Sequence, residues 1–124
     1  MTAGDPPIAL TPYFTVDGAD RFLDFVVEVL DGQVVRRGLT DDGLVQHARC
    51  RIGDSLIMVN DAGVGYTPSR QQMYLYVPDV DATYDRALAH GATSLMAPEL
   101  RPYGDRIAGV VDPFGNIWWV ACPA

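Results

Sequence analysis

Apolar and polar positions follow two rhythms along this chain, and the two occur in the same order twice. From Ile8 to Val16, IALTPYFTV has the β-branched and aromatic composition of a strand, with Pro12 marking an edge position or a bulge. In DGADRFLDFVVEVLDG, Phe22, Phe25, Val26 and Val29 recur at helical spacing while Asp20, Asp24 and Glu28 hold the other face. This predicts a helix of about three turns, capped by Asp17 or the residues just after it and stopped at Gly32. QVVRRGL, GLVQHARCRI and SLIMVND then read as three strands, broken by turns at TDDG and GD.

The second half repeats the plan. QQMYLYV predicts a strand, DVDATYDRALAHG a helix ending on Gly91, and TSLMAP, RIAGVV and NIWWVAC three more strands. Val16 lies over Val77, bringing Asp20 onto Asp81 and Asp24 onto Asp85; IGDSLIMVN lies over FGNIWWVAC, bringing Gly53 onto Gly115. The offsets are sixty-one and sixty-two residues, so the chain reads as a doubled βαβββ unit of α+β class. The expected organisation is one domain over residues 1–124, with modules at about 8–60 and 71–122 joined by a Gly/Pro/Ser-rich loop at 61–70.

Composition narrows the partners. A chain of 124 residues, 48% hydrophobic and 20% charged, has the size of one globular domain. Its net charge of −7 argues against nucleic acid and anionic membranes, which need a basic footprint. No stretch approaches the roughly 20 apolar residues of a spanning helix, and MTAGDPPIAL lacks the basic and long apolar regions of a signal peptide, so a cytoplasmic location is expected. Cys50 and Cys122, far apart in apolar runs, are expected as buried free thiols, and with only two histidines a Cys/His zinc cluster is excluded.

The stretch from Tyr103 to Val120, YGDR followed by AGVVDPFGN and the two tryptophans, resembles the vicinal-oxygen-chelate superfamily, the glyoxalase/bleomycin-resistance/dioxygenase fold. Gly104, Asp105, Arg106, Asp112, Pro113 and Gly115 carry the likeness, most closely to small single-domain members. The resemblance implies a curved mixed sheet around a cavity with helices on the outer face, and a homodimer in which modules of two chains complete each cavity. It also implies metal-ligand points on the first and fourth strands of each module, here Thr11, Ile57, Gln72 and Trp119. Two hydrocarbons, a hydroxyl and an amide are poor donors, so no metal and no cofactor are expected. The DPFG turn has its own explanation: Pro113 presets φ, Gly115 can take positive φ, and Asp112 can accept backbone N–H bonds.

Period-two alternation sorts the strands into two faces. One set is apolar and suited to lie under the helices: Phe14, Val16, Leu56, Met58, Met73, Leu75, Val77 and Trp118. The opposite set mixes aromatic, hydroxyl and amide groups, as a ligand site does: Tyr13, Thr15, Ser55, Ile57, Gln72, Tyr74, Tyr76 and Trp119. The same tyrosines would also suit a dimer interface. His47 shares a face with Arg49 and Arg51 and is either a general base beside a substrate or a hydrogen-bonded strand histidine. His90, at a helix C-terminus, suits the helix dipole. Tyr103 could form part of the rim, and Arg106 either meets an anion or carbonyl there or pairs with Asp105 or Asp112.

Two functions remain open. One is a metal-free protein that sequesters an aromatic or hydrophobic natural product or antibiotic, with Trp119 and the tyrosines as the stacking surface. The other is an isomerase, lyase or oxygenase of the same superfamily, with His47 or Tyr103 as acid or base.

Overall fold

The computed structural model describes residues 7–124. The first module contains β1 (Tyr13–Val16), α1 (Ala19–Leu30), β2 (Gln33–Leu39), β3 (Val45–Ile52) and β4 (Ser55–Asp61). The second contains β5 (Gln72–Tyr76), α2 (Val80–Ala89), β6 (Thr93–Leu100), β7 (Asp105–Val111) and β8 (Ile117–Pro123). Each module forms a four-stranded sheet, ordered β1-β4-β3-β2 and β5-β8-β7-β6. The β1/β4 and β5/β8 pairs are parallel and the other neighbours antiparallel, so the βαβββ reading holds in both halves. The first strand is shorter than the sequence pattern suggests, and the carbonyl of Pro12, just ahead of it, accepts from the amide of Met58 at 2.9 Å. No helix among the described residues is long and apolar enough to cross a membrane.

One register differs from expectation by a single residue. Tyr13 pairs with Met58 as Tyr74 pairs with Trp119, so Met58, not Ile57, is the internal equivalent of Trp119. The cause is turn length. Ile52 pairs with Ser55 across a two-residue turn, whereas Val111 pairs with Ile117 across Asp112–Asn116. Gly53 and Gly115 both have positive φ, 57° and 90°, but they sit at different points of unequal turns, and aligning them slipped β4 by one position. A one-residue slip exchanges faces along a whole strand. Ile57 and Val59 are therefore core residues at 4% and 0% exposure, and Ser55 shares their side of the strand at the exposed hairpin. Leu56 and Met58 are half-buried on the opposite face.

The start of α1 is also capped differently. Asp17 makes no cap; Asp61, at the end of β4, accepts from Gly18 N at 3.2 Å and Ala19 N at 2.8 Å through Oδ1, and from Val45 N at 2.8 Å through Oδ2. In α2 the cap is local, Asp79 accepting from Ala82 N at 3.0 Å. The left-handed residue that ends α1 is Asp31, and Gly32 follows because a Cβ there would lie 2.5 Å from Val26 Cγ1.

A single cluster of buried side chains draws on both modules. Phe14 stacks on Trp118 at 5.8 Å and packs against Phe22 at 5.1 Å, while Phe114 meets Phe22 edge-on at 5.4 Å. Each such side chain contributes about 1.5–3 kcal/mol by leaving water. The helices meet over this core, with Arg86 Nη2 donating to the Val29 carbonyl at 3.2 Å. Asp112 fastens the DPFG turn to it: Oδ1 accepts from Phe114 N and Asn116 N at 2.8 and 2.9 Å, and Oδ2 from the Trp118 indole at 2.8 Å. Both cysteines are free; Cys50 is buried, which pushes its thiol pKa up, and Cys122 is half-buried.

Candidate ligand-binding site

The face of each sheet away from the helices forms a trough, and one row of cross-strand neighbours crosses each trough at the same level. In the first sheet the row is Tyr13, Met58, Arg49 and Arg36. In the second it is Tyr74, Trp119, Gly109 and Met96. The backbones correspond; the chemistry does not.

In the second trough, Gly109 lets the Trp119 ring lie flat on β7. A Cβ at Gly109 would sit 2.5 Å from Trp119 Cζ3, well inside contact distance. The indole is fixed in its own plane by donating from Nε1 to Gln72 Oε1 at 2.7 Å. Beside it, the hydroxyls of Tyr74 and Tyr76 each donate to Asp105 Oδ2 at 2.8 Å, and the Tyr103 hydroxyl lies 3.4 Å from that of Tyr74. Hydrogen bonding to Tyr103, with burial and Asp105 adding to it, holds the Tyr74 phenol well above its ordinary pKa; for Tyr76 the hydrogen bond to Asp105 is the main cause. Both are therefore neutral donors at physiological pH. A cavity of about 280 Å³ is lined by Tyr74, Met96, Arg101, Tyr103, Ile107 and Trp119, with Arg101 ion-paired to Glu99.

In the first trough, the Tyr13 hydroxyl and His47 Nδ1 share a hydrogen bond of 2.9 Å, and Arg49 Nε donates weakly to His47 Nε2 at 3.5 Å. Burial first, then the charges of Arg49 and Arg36, push the His47 pKa below its usual value, so the imidazole is neutral at pH 7. Arg36 reaches this face through a β-bulge. The register skips from Val34/Cys50 to Arg36/Arg49, leaving Val35 as the extra residue, so Arg36 turns into the trough while Arg37 pairs with Asp20 of α1 at 2.8 Å. Thr15 donates to Asn60 Oδ1 at 2.7 Å beside this row.

The structure thus gathers Gln72, Tyr74, Tyr76, Tyr103 and Trp119 in one trough and Tyr13, Thr15 and His47 in the other. Ser55 and Ile57 leave the set with the β4 register, and Met58 replaces them. Arg106 leaves it too: it lies on the helix side, held bidentately by Asp81 of α2 at 2.9 and 2.8 Å, so its partner is neither Asp105 nor Asp112. His90 Nδ1 lies 2.8 Å from the Arg86 carbonyl, where a last-turn histidine satisfies a helix end. Asp105, Gly109, Met96 and Arg36 were missed by sequence reasoning. A glycine inside the strand RIAGVV signals close approach of another group, and Asp105 alternates with Ile107; the bulge that turns Arg36 has no comparable sequence signal.

The metal-ligand points, corrected for register, are Thr11, Met58, Gln72 and Trp119. They do not fit a divalent metal: the one good acceptor, Gln72 Oε1, is taken by an indole N–H, and a thioether, a hydroxyl and an indole ring complete the set. Among the described residues no three His, Cys, Asp or Glu side chains are grouped to hold an ion. A second concavity, of about 870 Å³, lies on the helix side between α1 and the DPFG turn. It is lined by Asp17, Asp24, Glu28 and Asp112, by Arg21 and Arg70, and by Phe25, Phe114 and His90, with the Arg70 side chain across Gly115, so it carries both signs of charge.

Comparison with known proteins agrees with this fold. The uncharacterised protein Mb0911c of Mycobacterium bovis is 37% identical over 126 residues, spanning 93% of this chain and 83% of its own length. The crystal structure of TioX from Micromonospora sp. ML1 superposes with a TM-score of 0.75 at 26% identity, covering 97% of this chain and all of that one. A superfamily member from Sphaerobacter thermophilus superposes with a TM-score of 0.69 at 23% identity, covering 92% of this chain and 97% of its own. The family model described as Glyoxalase/Bleomycin resistance protein/Dioxygenase superfamily matches residues 8–120, and the chain belongs to that superfamily.

Proposed function

We propose that this protein is a metal-free small-molecule binding protein that sequesters an aromatic or hydrophobic compound, in the manner of a resistance protein, and works as a homodimer. The observation that carries this reading is the Trp119 ring laid on Gly109 and locked by Gln72, an ordered aromatic platform with three tyrosines around it. Such a platform costs little entropy on binding because its rotamers are already held, and each good aromatic contact adds about 0.5–1.5 kcal/mol beyond area burial. Tyr13, Tyr74, Tyr76 and Tyr103, all more than 40% exposed, supply surface for the ligand and for a second copy.

A second reading is favoured by one observation, the Tyr13–His47 pair, whose neutral imidazole could move a proton in an isomerase, lyase or oxygenase. Titration of a panel of planar aromatic antibiotics, with the dye N-phenyl-1-naphthylamine and its sulfonated counterpart as probes, separates the two by tryptophan fluorescence. Saturable binding that Trp119→Ala weakens at least tenfold, with the compound recovered unchanged, supports sequestration. Conversion of the compound, lost in His47→Gln, supports the enzyme, and no binding by any compound contradicts both.

A further inference from the structure

We infer that the first trough holds an anion site of its own, in which Arg36 and Arg49 together take a phosphate group, either free in solution or carried by a small molecule. The site is separate from the aromatic platform and stands whether or not that platform binds a ligand.

All nine basic residues are arginines, set against sixteen acidic ones. Arg37, Arg101 and Arg106 are ion-paired, Arg86 donates to the Val29 carbonyl, and Arg21 and Arg70 share a groove with Asp17, Asp24 and Glu28. The other three lie on the first trough, Arg36 and Arg49 as direct cross-strand neighbours and Arg51 next on the same face of β3. Gln33 and Leu56 flank Arg51, Met58 flanks Arg49 and Gly38 faces His47, so no cross-strand neighbour here is acidic. Among the described residues the Arg36 side chain makes no hydrogen bond and that of Arg49 only the weak one to His47. Both guanidinium charges are felt at the His47 ring. Direct cross-strand neighbours have Cβ atoms about 4.5–5.5 Å apart, so one oxyanion can meet both side chains.

The backbone does not require this pairing. β6 carries the same bulge: its register skips from Ser94/Val110 to Met96/Gly109, leaving Leu95 extra as β2 leaves Val35, and a methionine and a glycine are brought together there. Like charges placed opposite each other destabilise a sheet, so the first module bears a cost that the second avoids on the same scaffold. Breaking a local rule in this way marks a functional position, and a bulge that re-aims a side chain is a common means to one. An oxyanion between the two guanidinium groups turns their repulsion into two charge-assisted attractions, each fork of N–H donors matching two oxygens. Two positive charges suit a phosphate group, which is close to doubly charged near neutral pH. A nucleic acid or an anionic membrane does not suit the rest of the surface, since the net charge is −7.

The test is an NMR titration of the whole chain with inorganic phosphate at pH 7.5, the ionic strength being held constant with sodium chloride. The side-chain Nε–H signals of Arg36 and Arg49 should move together and saturate, while that of Arg37, on the helix side, stays still. The double variant Arg36→Gln/Arg49→Gln should bind phosphate at least tenfold more weakly with an unchanged backbone amide spectrum, which reports an intact fold. Arg37→Gln and Trp119→Ala should each bind within twofold of wild type. Methyl phosphate binding at least as tightly identifies a phosphate monoester as the ligand, and its exclusion identifies the free ion. Shifts that grow without saturating, or that survive the double variant, would overturn the site and leave the reading of the platform standing. Arginine signals that follow protein concentration and ignore phosphate would also overturn it, because carboxylates of a second copy would then fill the place.

Discussion

Two cross-strand rows at the same level of one duplicated scaffold have taken opposite characters. Tyr13, Met58, Arg49 and Arg36 make a cationic surface, whereas Tyr74, Trp119, Gly109 and Met96 make an aromatic one whose indole is held by Gln72. The contrast turns on a pair of linked substitutions. An indole can lie flat in the second row only because its β7 neighbour has no side chain, and the first row, with a narrow thioether at the indole position, leaves its β3 neighbour free to be an arginine. Duplication supplies the backbone; the choice of residue at two adjacent positions decides what each half can hold.

The comparison can be broken most severely at the acidic side chains that secure each module. Asp61→Ala strands three backbone donors at the junction of α1, β3 and β4. Chemical denaturation should show a loss of about 3 kcal/mol. Asp79→Ala, its local counterpart on α2, should cost only about 1 kcal/mol. Next comes Gly109→Ala. The added methyl forces the Trp119 ring off β7, so stability should fall by about 1–3 kcal/mol, and aromatic ligands should bind at least tenfold more weakly in a fluorescence titration. The opposite sign is expected in the first trough: Arg36→Gln relieves a like-charge pair and should raise the stability of the ligand-free protein by about 0.2–1 kcal/mol.

The smallest effect concerns His47. Its folded-state pKa is depressed, so as pH falls the unfolded chain takes up the proton first and stability declines below about pH 6.5, the decline ending once the folded-state value is passed. Arg49→Gln removes part of the cause and should flatten this slope between pH 7.5 and 5.5.

The elements were legible because their periods are clean: seven of the eight strands and both helices fall where alternation and the 3.6-residue repeat put them. The separate roles of Trp118 and Trp119 followed from alternation alone, one at 1% exposure in the core and the other facing the trough. What stayed hidden was set by non-local geometry. The register of β4 depends on a turn two residues long in one module and five in the other, and a matched glycine in each concealed the difference. The cap of α1 comes from Asp61, forty-two residues away in sequence. Arg106 found Asp81, twenty-five residues away on α2, a pairing that the overlay of Asp20 on Asp81 did not reveal.

The central claim, that the aromatic platform of the second trough is the binding surface, is tested most directly by a crystal structure of the protein with 8-anilinonaphthalene-1-sulfonate. The dye should lie with its rings against Trp119 and Tyr74. Dye seated instead in the larger groove between α1 and the DPFG turn, with Trp119 uncovered, would contradict it.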